Sequence, residues 1–175
     1  MEFPTAGRPS CLDGTREEII KYIIDWIVNV DHENRLLWLY GLSGTGKSTI
    51  STTIADKSRD LRYLAAFIFF NRDVKELSDP IPIVKTLAHS LSLFDPRIGH
   101  TVATAIEPLP TLLDAPLRFQ FQKLIEEPLR NIESEYFGGP IVIVVDAFDV
   151  KICAFNNISQ YKFLQYYLSG MWKRE

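Results

Sequence analysis

Apolar residues in this chain recur at two different spacings, and their succession sketches alternating strands and helices. Ile19, Ile20, Ile23, Ile24 and Ile27 fall on one helical stripe, which predicts a helix over residues 15–28 with Thr15 as N-cap and Glu18 three positions later. Residues 36–40 form an unbroken apolar run that stops at Gly41, the pattern of a parallel strand buried on both faces. A helix over 47–58 then sets Ile50 and Ile54 one turn apart against that strand, with Leu61 continuing the stripe. A second buried strand is predicted over 64–70, closed by Asn71, Arg72 and Asp73.

Beyond it, Asp79 and Pro80 open a helix in which Ile83, Leu87, Leu91 and Phe94 keep helical spacing, and a shorter helix covers 96–107. Pro108 and Pro110 stop that segment. Leu117, Phe121, Leu124, Ile125 and Leu129 mark a further amphipathic helix whose last turn Pro128 should kink or fray. Gly138, Gly139 and Pro140 lead into a third strand over 141–145. Strands alternating with helices imply an α/β domain with a parallel sheet, expected over residues 15–150. Residues 1–14, rich in Pro, Gly and Ser, read as a flexible lead-in, and 151–175, where Asn, Gln, Tyr and Phe replace any periodic pattern, as a divergent or truncated tail.

Composition narrows the function. A chain of 175 residues that is 46% hydrophobic and 23% charged fits one soluble globular domain. With 19 Lys and Arg against 22 Asp and Glu, the net charge of -3 gives no field that would draw it to nucleic acid. No apolar run approaches the roughly 20 residues of a membrane span, and no basic start precedes an apolar core, so a cytoplasmic location is expected. Cys11 and Cys153 lie too far apart in sequence to be read as a zinc cluster or a disulfide framework.

Between the first predicted strand and its helix, Gly41-Leu42-Ser43-Gly44-Thr45-Gly46-Lys47-Ser48 spells G-x-x-x-x-G-K-[ST] in full. Glycines in such a turn let successive main-chain N–H groups face an anion, and the positive end of the following helix adds to the field. The expected ligand is ATP, or GTP, with Mg²⁺. The turn from Gly41 through Ser43, Gly44, Thr45 and Gly46 would wrap the phosphates, Lys47 would reach the β- and γ-phosphates, and Thr49 would touch the α-phosphate. Ser48 is placed to ligate Mg²⁺ through its hydroxyl. A plain glycine-rich turn beside an exposed lysine is the simpler alternative, and it requires the whole pattern to arise by composition.

The third strand delivers Asp146 at its carboxyl end, where ligands of parallel sheets collect, which makes it the second candidate Mg²⁺ ligand. Taken alone, Asp146 would serve equally as a turn former or a helix N-cap. Asp149 is the candidate catalytic residue, able to orient a water or sense the γ-phosphate. His32, His89 and His100 are scattered, and neither they nor Ser43 and Ser51 have triad or metal partners.

Residues 41–48, Phe69-Phe70-Asn71-Arg72-Asp73 and Asp146-Ala147-Phe148-Asp149 together resemble the NACHT branch of the STAND signal-transduction ATPases, in particular the fungal nephrocystin-type proteins related to NOD-like receptors. Cys11-Leu12-Asp13-Gly14-Thr15-Arg16 and Trp26 resemble the lead-in of such proteins, so the likeness covers about residues 11–149. The resemblance implies a three-layer P-loop NTPase fold with a parallel sheet, and a nucleotide-dependent switch through which a multidomain receptor meets protein partners or further copies of itself. It also implies that Arg16 lies near the base; otherwise Arg16 reads as a solvated first-turn side chain. Two departures stand out. Val150 occupies the position where the family usually carries a second acidic residue, so hydrolysis is expected to be weak or absent. The chain also stops soon after the Asp146 strand, before the sensor and winged-helix regions of the family, so the fold is expected to be incomplete at its C-terminus.

Two other functions compete: a small P-loop kinase, and a non-catalytic scaffold that binds partners through exposed apolar surface. The residues ahead of the glycine-rich loop and the lack of an Arg-rich lid count against the kinase.

Overall fold

The computed structural model describes residues 9–29, 36–69, 83–130 and 139–146. Phe70, Asn71–Asp73, Asp79, Pro80, His32, Cys153, the catalytic candidate Asp149, Val150 and the tail 151–175 lie outside the described residues. Contacts divide the chain into two units, Met1–Phe70 with Gly139–Glu175 and Asn71–Gly138.

In the first unit, helix α1 (Glu17–Val28) buries Ile20, Ile23 and Ile27 and leaves Tyr22 and Val28 exposed, so the isoleucine stripe is its packed face. Thr15 is not its N-cap. The Thr15 hydroxyl and amide both donate to the Leu12 carbonyl, at 2.6 and 3.0 Å, so this threonine closes the preceding turn instead of facing the first helical amides. Arg16 takes the cap position in a left-handed conformation (φ 59°, ψ 18°), with no side-chain cap bond.

Helix α2 (Lys47–Asp60) buries Ile50, Ile54 and Ala55. Its end explains why Leu61 does not continue the stripe. Arg62 is left-handed (φ 62°), its amide donates to Arg59 O at 2.9 Å and the Tyr63 amide to Ser58 O at 2.8 Å. These are the paired bonds of a Schellman stop, which swings the chain off the helix face and leaves Leu61 43% exposed.

The turn feeds strand β1 (Leu64–Phe69), which pairs in parallel with β2 (Val142–Asp146). Leu64 stands opposite Val142 and Ala66 opposite Ile143, so Ala65 is one extra residue in β1. The shift puts Phe69 opposite Asp146 at the carboxyl end of the pair. A Cβ at Gly139 would collide with the Tyr63 ring, so any other residue leading into β2 would have to displace that side chain. Ile20, Ile23, Ile27, Ile50, Ile54, Leu64, Phe67 and Val142 form one core, each worth about 1.5–3 kcal/mol when fully buried.

The run 36–40 is not part of this sheet among the described residues, contrary to the expected doubly buried strand. Leu37 and Leu39 pack on the core, whereas Leu36, Trp38 and Tyr40 are 42, 50 and 83% exposed. A continuous apolar run does not distinguish one covered face from two. Here burial alternates with a period of two, and only one face is covered.

In the second unit, α3 (Ile83–Phe94) buries Ile83, Leu87 and Leu91 as its spacing predicts. Helix α4 (Pro96–Ile106) begins with Pro at its first position and packs against α3 through Ile98 and Val102. A 3₁₀ turn (Pro110–Asp114) follows the Pro108 stop. Then come α5 (Leu117–Phe121), a π-helical turn (Gln122–Glu126) and α6 (Glu127–Arg130). The π turn is how the chain accommodates Pro128. Proline offers no amide to the ladder, and the Glu127 amide reaches Gln122 O, five residues back, just before it. Phe121, Leu124 and Ile125 remain fully buried, so the helix widens locally without losing its packed face.

Asp95 caps α4. Its carboxylate accepts from the Arg97 side chain at 2.6 and 3.0 Å and from the Arg97 amide at 2.8 Å. The Arg97 side-chain hydrogen bonds chiefly, then the backbone amide, outweigh burial and hold its pKa below the ordinary aspartate value. Asp95→Ala should cost about 1 kcal/mol at pH 7. A lowered carboxylate pKa contributes stability that is complete above the unfolded value, about 3.9, and is lost as pH falls through the folded one. Urea denaturation of both proteins should therefore show a constant gap above about pH 5 that closes below about pH 4. A gap independent of pH would show that the carboxylate charge plays no part.

Candidate functional site

The glycine-rich loop of the first unit joins the apolar run 36–40 to α2. Gly44 and Gly46 are left-handed, with φ of 79° and 88°, a conformation that side-chain-bearing residues rarely adopt. Gly46 is the N-cap of α2, and a Cβ there would stand 3.1 Å from Thr49 Oγ1. The first intrahelical bond runs from the Ile50 amide to Gly46 O at 3.0 Å, so the amides ahead of it have no partner within the helix. No side chain caps this end and no acidic residue lies in its first turn, whereas α1 begins with Glu17 and Glu18.

Instead the first residue of α2 is a cation. Lys47 Nζ donates to Gly41 O at 2.8 Å and to Leu42 O at 2.9 Å, folding the side chain back over the loop. An ammonium group carries three donors, so one remains for a further acceptor. Thr45 Oγ1 donates to Leu42 O at 2.8 Å and Thr49 Oγ1 to Gly46 O at 2.7 Å, bracing the bend from both ends. Ser43 is exposed.

The second half of the site arrives from 98 residues away. Ser48 Oγ donates to Asp146 Oδ1 at 3.2 Å. Asp146 is 5% exposed and sits at the carboxyl end of β2, held there by its register with Phe69. A serine hydroxyl beside an aspartate is a pair of hard oxygen donors that suits Mg²⁺ when phosphates and waters supply the remaining ligands. Among the described residues, no group of three His, Cys, Asp or Glu gathers as a metal site. His89 and His100 are exposed and belong to the second unit.

The loop also borders a cleft of about 320 Å³. It is lined by Gly44, Thr45, Gly46 and Thr49 from the loop and α2, and by Pro9, Ser10, Cys11, Leu12, Thr15 and Arg16 from the segment ahead of α1. Within the segment expected to be a loose lead-in, Ser10 Oγ donates to Asp56 Oδ2 at 2.9 Å and the Cys11 amide donates to Thr53 Oγ1 at 2.9 Å. These bonds dock residues 10 and 11 onto α2. Arg16 Nη2 donates to Thr45 O at 3.1 Å, tying the start of α1 to the loop.

The structure thus gathers Gly41, Ser43, Gly44, Thr45, Gly46, Lys47, Ser48, Thr49, Arg16 and Asp146 in one unit. The periodic pattern gives no sign of Ser10, Thr53 and Asp56, whose hydrogen bonds join the lead-in to α2; Gly14, left-handed at φ 76°, was the signal of an ordered turn there.

With this geometry in place, comparison with protein families identifies the group. The family model described as Nephrocystin 3, N-terminal, matches residues 14–166, and the chain belongs to that family. No curated protein and no solved structure matches it. No helix among the described residues is long and apolar enough to cross a membrane.

Gly46→Ala should destabilise the first unit by about 1–2 kcal/mol, because alanine resists the left-handed conformation and crowds Thr49. Urea denaturation measures this, and a loss under about 0.5 kcal/mol would mean that Gly46 does not hold this conformation in solution.

Proposed function

We propose that the protein is the ATP- or GTP-binding module, with Mg²⁺, of a NACHT/STAND-type cytoplasmic signalling switch built on a three-layer P-loop NTPase fold. The single observation that carries this reading is the start of α2, where an uncapped helix N-terminus carries a lysine and follows two left-handed glycines. Positive charge at that end opposes the helix dipole and is unfavourable on its own. It becomes favourable when a polyanion lies over the loop, satisfying the first-turn amides and the remaining Lys47 donor together.

Other features support the same ligand. In this reading Gly41, Ser43, Gly44, Thr45 and Gly46 cradle the phosphates, Lys47 meets the β- and γ-phosphates, and Thr49 the α-phosphate. The base and ribose occupy the 320 Å³ cleft, whose size suits a small ligand. Ser48 and Asp146 would hold Mg²⁺, which supplies charge neutralisation of the phosphate oxygens when bound. Family membership adds to the case through the nephrocystin relationship. Asp149 is assigned the water-orienting role, and Val150, in place of a second acidic residue, makes turnover slow or absent. Partners are further copies of the receptor or downstream proteins. A scaffold role has one observation in its favour, the exposure of Trp38, Tyr40 and Leu42 beside the loop.

Calorimetric titration of the full chain with ATP, ADP and GTP in Mg²⁺ tests the reading. At least one nucleotide should bind, and Lys47→Ala should weaken it by about tenfold or more, as expected for loss of a charge-assisted hydrogen bond. Binding that is absent in the wild type, or equal in both proteins, would reject the nucleotide role.

A further inference from the structure

Arg16 combines three features that the nucleotide reading leaves unexplained. It is left-handed without being glycine, and such a conformation persists only where the surroundings enforce it. Its guanidinium crosses 29 residues of sequence to donate to Thr45 O at 3.1 Å. The same residue lines the cleft beside Thr45 and Gly46, whereas Lys47, Ser48 and Asp146 do not border it. A guanidinium bonds more strongly to a phosphate oxygen than to a neutral carbonyl, and its planar fork favours two contacts over one.

We propose that Arg16 is a positioning residue that exchanges partners with nucleotide occupancy. It tethers the Thr45 carbonyl while the cleft is empty, and moves to a nucleoside-side phosphate oxygen when a nucleotide enters. This rests on the nucleotide reading above and adds to it a route out of the site. Release of Thr45 frees the middle of the loop to close on the phosphates, and the displaced guanidinium pulls on the turn from Leu12 to Thr15 and on the start of α1. Because Arg16 lines the cleft, which Ser48 and Asp146 do not border, it meets the phosphate nearest the nucleoside and responds alike to ADP and ATP.

The test uses the full chain and Arg16→Gly, which keeps the left-handed backbone accessible while removing the guanidinium. In the ligand-free proteins, hydrogen exchange at the amides of residues 44–47 should be at least about threefold faster in the variant, with the interior of α2 unchanged, as for a loop that opens more often. In Mg²⁺, ATP and ADP should both bind about tenfold more weakly to the variant, the size expected for a lost charged hydrogen bond. Tripolyphosphate, whose three phosphates correspond to those of ATP, should weaken by a similar factor, whereas adenosine, which has no phosphate, should change by less than about twofold. Unchanged exchange overturns the tether. Unchanged ATP and ADP affinity, or an equal loss for adenosine, overturns the partner exchange. If the wild type binds none of ATP, ADP and tripolyphosphate, the nucleotide reading fails and the partner exchange with it, while the exchange rates still decide the tether.

Discussion

A helix that starts with a lysine, and with no side chain to cap it, concentrates positive potential at one point of the fold. In this protein that point is Lys47, and the surrounding architecture keeps it intact. Two left-handed glycines hold the bend ahead of it, Thr45 and Thr49 brace the bend through main-chain carbonyls, and the lysine itself closes over Gly41 and Leu42. The unsatisfied first-turn amides of α2 add to the same field. An arrangement of this kind is poorly explained by stability alone, because each part would be improved by an acidic N-cap.

The parallel pair supplies the counterpart. Buried Leu64, Ala65, Ala66 and Phe67 anchor β1, the extra residue at Ala65 sets the register, and that register brings Asp146 to the Ser48 hydroxyl. Docking of Ser10 and Cys11 onto α2 helps line a cleft beside the loop that Ser48 and Asp146 do not border. One helix terminus is thereby flanked by an oxygen-rich face and by a cleft, and one residue from each neighbouring element, Asp146 and Arg16, reaches it. A phosphate chain with a nucleoside at one end and a divalent cation at the other has this same polarity.

Much of this was legible in the sequence because it follows from local periodicity. The stripes of α1 and α3, the apolar runs of β1 and β2, and the Pro96 start of α4 behind Asp95 all appear where spacing predicts them. The bend of the loop was legible because Gly44 and Gly46, which take the left-handed conformation, stand at fixed intervals ahead of Lys47. Features that depend on contacts distant in sequence were not. Thr15 looks like an N-cap until its hydroxyl is seen on Leu12 O, Leu61 continues a stripe until the Schellman turn removes it, and the run 36–40 reads as doubly buried although one face is bare. Periodicity also cannot foresee a π turn, which depends on how the ladder accommodates Pro128. Asp149 stands outside the described residues, so its role remains a reading of the sequence.

The central claim is that the amides at the start of α2 grip a phosphate chain. Amide NMR of the full chain, titrated with Mg²⁺ and pyrophosphate, addresses it most directly, because this probe carries neither base nor ribose. The account predicts saturable one-to-one binding with the largest shifts at the amides of Gly44, Gly46, Lys47, Ser48 and Thr49. Shifts scattered over surface lysines, or none at these amides, would contradict it.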